Sequence, residues 1–213
     1  MDKLLLNILI RTSNRPDYFR RLLNTIEAQT NKNYRLIISA DTPETENYVK
    51  AAGYNPIVVK RLFSSDRQTF PWNLYLNSLM KEVTGGWILF IDDDDMFAHQ
   101  MVFKIIADCL PFEDRMLVWR MRFPDGRLVP GDNYWEKLPF VRKQISMPCF
   151  AFHSKWKDNV LFDAHRAGDF RFVNQLIKYV KTEWLDIPLV QLSNYGNVGK
   201  SVDLQNELAM AET

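Results

Sequence analysis

The chain has 213 residues, of which 46% are hydrophobic and 13% aromatic, which suffices for one sizeable core and favours one domain over two. Its 27 basic residues nearly balance its 26 acidic ones, and the net charge of +1 argues against a general nucleic-acid or membrane-surface binder. The two cysteines, Cys109 and Cys149, are far apart and form no CxxC pair, so we expect a reducing, cytoplasmic compartment rather than a zinc site or a disulfide framework.

The first half of the chain alternates strand and helix patterns, which predicts a parallel sheet covered by helices. Four apolar runs predict its strands: KLLLNILI, YRLIISA, NPIVVKRL and WILFI. A helix is expected from Pro16, capped by Ser13 or Asn14. The turn DTPET can cap a second helix, and the apolar spacing predicts a third from about residue 71 to residue 83.

The second half predicts a mixture of strands and helices. MLVWRMRF, ISMPCFAF and EWLDIPLVQ are expected to be strands, the first ending at the turn PDGR and the last carrying Pro188 at an edge or a bulge. DFRFVNQLIKYVK has apolar residues at helical spacing. No stretch approaches the roughly 20 apolar residues of a membrane span, and the first apolar run is too short for a signal peptide. We therefore expect a soluble protein without a transmembrane segment.

Four consecutive aspartates, Asp92–Asp95, follow directly on the predicted strand WILFI. Like charges about 5 Å apart repel by roughly 1 kcal/mol per pair in water. A divalent cation would reverse this repulsion, since Mg²⁺ and Mn²⁺ take carboxylate oxygens and bridge them to substrate phosphates. The aspartates therefore predict a metal site. The alternative is a solvated acidic loop beside the N-terminus of a helix that starts near Phe97, where the helix dipole favours negative charge.

The first two predicted strands also end in polar residues. Residues 11–15 follow the first strand and Asp41 follows the second. In open α/β sheets, ligands bind beyond the carboxyl ends of the strands. These residues should therefore gather near Asp92–Asp95.

Three segments in this order resemble the nucleotide-sugar-binding half of family-2-type glycosyltransferases of the GT-A fold. They are NILIRTSNRPDYFRRLLNTIEAQT, YRLIISADTPET and NSLMKEVTGGWILFIDDDD, and the resemblance covers roughly residues 4 to 97. It implies an α/β fold with a Rossmann-related, mostly parallel central sheet, flanking helices and a mixed second half. We expect a single domain over residues 1–213, with a nucleotide-sugar half (1–97), an acceptor and catalytic half (98–200) and a C-terminal tail (201–213).

The resemblance also implies roles for particular residues. Asp94 would be the main ligand of Mn²⁺ or Mg²⁺, Asp92 would contact the ribose or the metal, and Asp93 or Asp95 would support them. Asp41 would accept a hydrogen bond from a uracil-like base. The nucleotide-sugar site implied in this way comprises Arg11, Thr12, Ser13, Arg15, Asp41, Arg67, Asn77, Asp92 and Asp93.

The chain departs from the family pattern at three positions. Ser13 stands where the family often has a tyrosine in the first loop, and Leu76 stands where an arginine is common. A phosphate contact from that arginine would have to come from another basic residue, for which the candidates are Lys60, Arg61 and Arg67. Gly168 replaces a glutamate that usually precedes the catalytic aspartate.

The catalytic base is expected in the second half. An inverting glycosyl transfer needs a cation that neutralises the departing nucleoside diphosphate and a carboxylate that takes the proton of the acceptor hydroxyl. LFDAHRAGDFRFVNQLI resembles the family segment that carries this base, which implies Asp169. Alternatively, Asp169 is the N-cap of a helix that runs to Lys181.

Other polar and aromatic residues could have either a structural role or a role in ligand binding. Two histidines, His153 and His165, are more often structural or surface residues than metal ligands. Three aromatic residues could stack on a sugar or pack in the core: Trp119, Tyr134 and Trp135. Three basic residues could be solvated or could face a charged ligand: Arg120, Arg122 and Lys200.

The sequence thus predicts a metal-dependent, inverting glycosyltransferase. Its donor would be a nucleotide diphosphate sugar, with a UDP-sugar expected, and its acceptor a hydroxyl of an unidentified glycan, lipid, protein or other molecule. One alternative is a haloacid-dehalogenase-like phosphohydrolase, because ILFIDDDDMF also resembles that family's DxD motif, although three strand and helix patterns precede it here. The other is a non-catalytic nucleotide-sugar-binding module, which the departures at Ser13, Leu76 and Gly168 keep open.

Overall fold

The computed structural model describes residues 5–66, 68–110 and 112–192. Arg67, Lys200 and the predicted tail 201–213 lie outside the described residues. The strands are β1 (Leu6–Thr12), β2 (Tyr34–Ala40), β3 (Ile57–Val58), β4 (Trp87–Asp92), β5 (Met96–Phe97), β6 (Arg115–Arg122), β7 (Leu128–Val129), β8 (Phe150–His153) and β9 (Lys181–Gln191). The α-helices are α1 (Pro16–Glu27), α2 (Pro43–Ala51), α3 (Leu74–Lys81), α4 (Val102–Cys109) and α5 (Gly168–Leu176).

All of these strands belong to one sheet with the order β3-β2-β1-β4-β8-β6-β9-β5, and β7 pairs with β6. The first four are parallel, as the alternating patterns predict. β1 and β4 are buried on both faces, which explains why their sequences are nearly continuous apolar runs. Asn7 is a polar residue within the apolar run of β1, and its buried amide donates hydrogen bonds to the carbonyls of Gly85 and Trp87 at 2.8 and 3.1 Å.

The strand register brings the polar strand ends to one edge of the sheet. Arg11 of β1 lies opposite Asp92 of β4, and Thr12 lies opposite Ala40, which precedes Asp41. The three strands therefore end nearly level. The first loop (residues 13–15, between β1 and α1), Asp41 and the aspartate cluster project from the same edge.

The second half of the sheet is mixed. β8 is antiparallel to both β4 and β6, β9 is parallel to β6, and β5 is antiparallel to β9. The predicted bulge is present, because the register between β6 and β9 shifts on both sides of Arg120, which lies opposite Pro188. The predicted fold class, an α/β sheet with flanking helices and a mixed second half, is confirmed.

Aromatic packing joins the two halves. Phe90 of β4 contacts four phenylalanine rings at centroid distances of 5.2 to 6.1 Å: Phe150, Phe152, Phe162 and Phe172. Phe162 and Phe172 also stack face to face at 4.2 Å. Because Phe172 belongs to α5, this cluster fixes α5 against the strand that ends in the aspartates.

Several element boundaries differ from the prediction. Phe97 lies in β5 and α4 begins only at Val102, because Phe97 pairs with Val190 of β9. α5 ends at Leu176 instead of reaching Lys181, which already pairs with β6. Among the described residues, no helix is both long enough and apolar enough to cross a membrane.

The predicted caps of α1 are also wrong. The N-cap position is Arg15, which makes no capping hydrogen bond with its side chain. Asn14 instead has a φ of 51° and its side-chain oxygen accepts a hydrogen bond from Thr42 Oγ1 at 2.7 Å. Thr42 is itself the cap of α2. Asn14 thus ties the first loop to α2.

Gly86 provides a test of how tightly β1 and β4 pack. Its φ is +81° and a Cβ there would lie 2.5 Å from the carbonyl oxygen of Leu5, whereas a Cβ on Gly85 would meet nothing within 4 Å. We expect Gly86→Ala to lower the free energy of unfolding by about 1–3 kcal/mol and Gly85→Ala to change it by less than about 0.5 kcal/mol. Urea unfolding of both variants measures this difference, and equal effects would contradict the packing described here.

Candidate active site

The four aspartates point in two directions. A tight turn, with the amide of Asp95 donating to the carbonyl of Asp92 at 3.1 Å, follows β4. The side chains of Asp93 and Asp95 are buried, whereas those of Asp92 and Asp94 are partly exposed at the edge of the sheet. The run of carboxylates is therefore divided into a buried inner pair, Asp93 and Asp95, and a partly exposed outer pair, Asp92 and Asp94.

Arg11 compensates the charge of Asp92. Its guanidinium donates to both carboxylate oxygens of Asp92, from Nε at 2.5 Å and from Nη2 at 3.0 Å. This bidentate geometry is the strongest arrangement of the pair. The third contact of Arg11 is a hydrogen bond from Nη1 to Asn73 Oδ1 at 2.9 Å.

Arg15 compensates the next two aspartates. Its Nη1 lies 3.1 Å from Asp94 Oδ2, and its Nε and Nη2 both contact the carboxylate of Asp93. Asp93 also accepts a hydrogen bond from Thr12 Oγ1 at 2.6 Å, and the hydroxyl of Tyr48 lies 2.5 Å from the same Thr12 oxygen. Arg11 and Arg15 thus place positive charge against Asp92, Asp93 and Asp94.

Burial changes the acidity of these groups. It raises the pKa of Asp93 to about 7, although the charge of Arg15 and the hydrogen bond from Thr12 lower it. The pKa of Asp94 is raised as well, first by burial and then by the charge of Asp92. Asp93 is enclosed between the first loop and α2 and so has a structural position, whereas Asp94 is partly exposed and lines both clefts described below.

Asp169 lies in the first turn of α5 and faces the same region. The N-cap of α5 is Ala167, with a φ of 60°, so Asp169 is not the cap that the alternative interpretation proposed. One of its oxygens accepts a hydrogen bond from the amide of Phe170 at 2.8 Å. Burial raises the pKa of Asp169, while its hydrogen bonds and the charge of Arg11 lower it. The raised pKa makes the carboxylate of Asp169 a stronger base, which suits a proton acceptor that acts near neutral pH.

Asn73, which the sequence pattern does not single out, connects the segment just before α5 to Arg11 and thus to the aspartate cluster. While its oxygen accepts from Arg11, its Nδ2 donates to the carbonyls of Asp163 and His165, at 3.3 and 2.9 Å. A Cβ on Gly168 would lie 2.5 Å from this Nδ2. Gly168 stands where the family usually has glutamate, and here the absence of a side chain lets Asn73 pack against the start of α5.

Two adjoining clefts surround these side chains. The first has a volume of about 430 Å³ and is lined by the first loop, Asp41 and the segment 61–64. The second has a volume of about 520 Å³ and contains Asp95, Ser146 and Asp169. They share four lining residues: Arg11, Trp72, Asp92 and Asp94. The outer aspartates thus lie at the junction of the clefts.

The first cleft contains several of the predicted nucleotide-binding residues. Its lining includes Arg11, Thr12, Ser13, Arg15, Asp41 and Asp92, together with Arg61. Asp41 accepts a hydrogen bond from the hydroxyl of Tyr75 through Oδ2 at 3.3 Å, but its buried Oδ1 has no partner among the described residues. A buried acceptor without a donor is costly unless a ligand supplies one.

Asn77, which the resemblance places in the nucleotide-sugar site, is bonded to the segment before α5. Its side-chain amide donates to the carbonyl of Phe162 at 2.9 Å, and its oxygen accepts from the amide of the same residue at 2.9 Å. Asn77 lines neither cleft. This pair of hydrogen bonds holds the segment before α5 against α3.

Most of the other aromatic, basic and histidine residues considered in the sequence lie outside the two clefts and pack or pair with neighbouring residues of the fold. Trp119 is buried, with Nε1 donating to the carbonyl of Pro148, and Trp135 packs on Arg120 and Trp184. Arg120 is buried and paired with Asp132 and Asp186. His153 packs on Trp87, and His165 is exposed and bridges to Thr69. Cys109 and Cys149 are both free thiols.

The outer aspartates fit a divalent cation in a particular way. Among the described residues, no group of three or more His, Cys, Asp or Glu side chains is arranged to hold a metal ion, so the predicted set of Asp92, Asp94 and Asp95 does not form a complete protein cage. However, Mg²⁺ and Mn²⁺ are commonly held by one or two carboxylates together with substrate phosphates. The partly exposed pair Asp92 and Asp94, at the junction of two clefts, meets this requirement.

The comparisons with known proteins agree with this architecture. The family model Glycosyl transferase family 2 matches residues 7–163, so the chain belongs to glycosyl transferase family 2. No curated protein matches the chain. The family match confirms the resemblance seen in the sequence, and it favours the glycosyltransferase interpretation over a phosphohydrolase.

Solved structures with the same fold include two glycosyltransferases. A crystal structure of S. aureus TarS 1–349 has a TM-score of 0.70 at 22% identity and covers 88% of this chain and 60% of that one. The complex of the same TarS fragment with UDP-GlcNAc has a TM-score of 0.68 at 21% identity, covering 90% and 59%. The mannosyltransferase PcManGT from Pyrobaculum calidifontis, in complex with GDP-Man and Mn²⁺, has a TM-score of 0.65 at 13% identity, covering 91% and 58%.

These likenesses establish the fold, which is that of the GT-A glycosyltransferases. The chain spans about three fifths of the length of these three solved structures.

The buried carboxyl of Asp93 generates a prediction about pH. In the unfolded chain this group ionises near its ordinary pKa of 3.8, whereas the folded protein keeps the proton until about pH 7. Raising the pH from about 4 to about 7 therefore costs stability through Asp93, and the cost is constant above that range. The quantity to follow is the difference between the melting temperatures of the wild-type protein and of Asp93→Asn. We expect this difference (wild type minus variant) to decrease as the pH is raised from 5 to 8. Thermal denaturation measures it; parallel curves would contradict the prediction.

Proposed function

We propose that the protein is a metal-dependent, inverting glycosyltransferase that moves a sugar from a nucleotide diphosphate sugar to an acceptor hydroxyl. The observation that carries the proposal is the adjacency of the two clefts. One contains Asp41 and the first loop, the other contains Asp169, and the carboxylates of Asp92 and Asp94 lie where they meet. A donor that crossed this junction would have its base in the first cleft and its reacting carbon near the second.

The nucleoside is proposed to bind in the first cleft. The buried, unpartnered Oδ1 of Asp41 is suited to accept an N–H from a base, and uracil offers one. We propose a UDP-sugar as the donor, for which the TarS complexes with UDP and UDP-GlcNAc provide support through similarity of fold. The PcManGT complex with GDP-Man keeps the choice of base a matter for experiment.

The diphosphate is proposed to bind at Asp92 and Asp94 together with Mn²⁺ or Mg²⁺. The cation would neutralise the charge that develops on the departing nucleoside diphosphate. The Mn²⁺ in the PcManGT complex supports this assignment by analogy. Arg11 is paired with Asp92 and Arg15 with Asp94. If a cation bound Asp94 in place of Arg15, the two guanidinium groups would be positioned to contact phosphate oxygens.

Asp169 is proposed as the base that takes the proton of the acceptor hydroxyl. It lies in the larger cleft with the outer aspartates, burial raises its pKa, and the amide of Phe170 orients its carboxylate. Attack from this side, opposite the leaving diphosphate, would invert the anomeric centre.

The second cleft is also proposed to bind an acceptor that carries negative charge. Four basic residues line this cleft besides Arg11 and would attract such an acceptor: Arg127, Arg142, Lys143 and Arg166.

The two free thiols, Cys109 and Cys149, support a reducing compartment, for which we propose the cytoplasm.

Metal dependence is tested at Asp94. We expect Mn²⁺ to tighten UDP binding to the wild-type protein by at least about tenfold, because the ion links the carboxylate to the diphosphate. A chelator should abolish this gain, and Asp94→Ala should lack it. Isothermal titration with UDP, with and without Mn²⁺, measures the effect. Asp158→Ala is the control, since Asp158 is exposed and lies outside both clefts. A full Mn²⁺ effect in Asp94→Ala would count against the proposal.

The role of Asp169 is tested by Asp169→Asn. We expect the rate of UDP release from a UDP-sugar, in the presence of an acceptor mixture, to fall by about 10²–10⁴-fold because the proton acceptor is lost. The dissociation constant of UDP should stay within about twofold of wild type. Asp158→Asn should change neither quantity. Nearly full turnover in Asp169→Asn would exclude this base, and UDP binding without turnover in the wild type, on any acceptor or on water, would favour a binding module.

A further inference from the structure

The proposed nucleoside cleft has a hydrogen-bonding group for the base but no aromatic residue in its first loop. Ser13 lines the cleft at the position where the family often has tyrosine. Asp41 can read only the edge of a base. Bases also gain affinity when a face stacks on an aromatic side chain. The first loop of this chain cannot supply that contact.

Phe63 offers an aromatic face in the same cleft. The aromatic residues described in its lining are Phe63, Trp72 and Tyr75. Tyr75 is buried and its hydroxyl is engaged with Asp41, while Trp72 lies at the junction with the second cleft. Phe63, in contrast, is 78% exposed. Of these aromatic residues, Phe63 has the face most available to a ligand.

Hydrogen bonds hold the segment around Phe63 close to Asp41. The amide of Leu62 donates to the hydroxyl of Tyr75 at 2.8 Å, and this hydroxyl donates to Asp41 Oδ2 at 3.3 Å. Nearer β3, the amide of Val59 donates to the carbonyl of Ala40 at 2.9 Å. The segment therefore passes over the carboxyl end of β2, with Phe63 next to the residue that is tied to Asp41.

Arg61 covers part of the Phe63 ring. Its guanidinium carbon lies 5.2 Å from the ring centroid, a distance at which a cation is attracted to the face of an aromatic ring. This contact restrains the ring, which lines the cleft and is 78% exposed. Asp41 lines the same cleft, so a base whose N–H is accepted by Asp41 Oδ1 would occupy the cleft that the ring also lines.

We propose that Phe63 is the stacking platform for the nucleobase of the donor, in place of the aromatic residue that the first loop lacks. This inference rests on the proposed function, since it assumes that a nucleoside diphosphate occupies the cleft. The base would be bound at its edge by Asp41 and at its face by Phe63, and the segment 61–64 would close the nucleoside site.

The test compares UDP with inorganic pyrophosphate, which has no base. Isothermal titration in the presence of Mn²⁺ measures both ligands on wild type, Phe63→Ala and Phe63→Trp. Stacking on an aromatic residue predicts that Phe63→Ala binds UDP about 5- to 100-fold more weakly. Pyrophosphate affinity should stay within about twofold, and Phe63→Trp should retain UDP binding.

Phe112→Ala is the matched control. Phe112 is 76% exposed and lies 5.6 Å from the guanidinium carbon of Arg115, so it resembles Phe63 in exposure and in its cation contact. It lines a groove with Trp184 that is separate from the proposed nucleoside cleft. This variant should bind UDP like wild type.

Two results overturn the inference while leaving the proposed function in place. One is wild-type UDP affinity in Phe63→Ala. The other is an equal loss of UDP and pyrophosphate affinity, which indicates a disturbed segment instead of a lost stack. Failure of the wild-type protein to bind UDP or any other nucleoside diphosphate overturns both proposals.

Discussion

The ion pairs between two arginines and three aspartates at the ends of β1 and β4 are the constraint on which the rest of the site depends. A strand that ends in four carboxylates is unfavourable unless positive charge lies nearby. Arg11 holds Asp92 and Arg15 holds Asp93 and Asp94, so the chain balances its own cluster. The consequence is that any ion or phosphate that enters must exchange with contacts that already exist. The aspartates at this edge of the sheet are thus held in place before a ligand arrives, and a cation or phosphate can replace the arginines as their partners.

The second requirement is that α5 stays in register with β4, because Asp169 and the outer aspartates belong to different halves of the sheet. Two sets of contacts meet this requirement. The phenylalanine cluster around Phe90 fixes α5 in the core, and Asn73 links Arg11 to the segment just before α5. Gly168 allows the second contact, since a side chain there would collide with Asn73. Gly168, one of the departures from the family pattern that kept the binding-module alternative open, is thereby given a packing explanation.

Much of the fold was accessible from the sequence because it depends on local patterns. Continuous apolar runs indicated β1 and β4, and polar strand ends predicted which residues would share an edge. The errors have tertiary causes. Pairing with β9 overrode the predicted helix at Phe97, and contacts with α2 changed the role of Asn14. Asn77 was given the substrate role through its spacing, but its partner is Phe162, and Asn73 lies at the site instead. Such partners are separated by 62 or more positions in the chain, so spacing alone does not reveal them.

The central claim is that the outer aspartates are the place where a divalent ion and the donor diphosphate meet. Anomalous X-ray scattering from Mn²⁺, in crystals soaked with a UDP-sugar, locates the ion directly. The account predicts one Mn²⁺ peak against Asp94, with the diphosphate on its other side and the guanidinium of Arg15 moved off that carboxylate. A peak elsewhere, or a donor bound with Arg15 still paired to Asp94 and no ion between them, would contradict it.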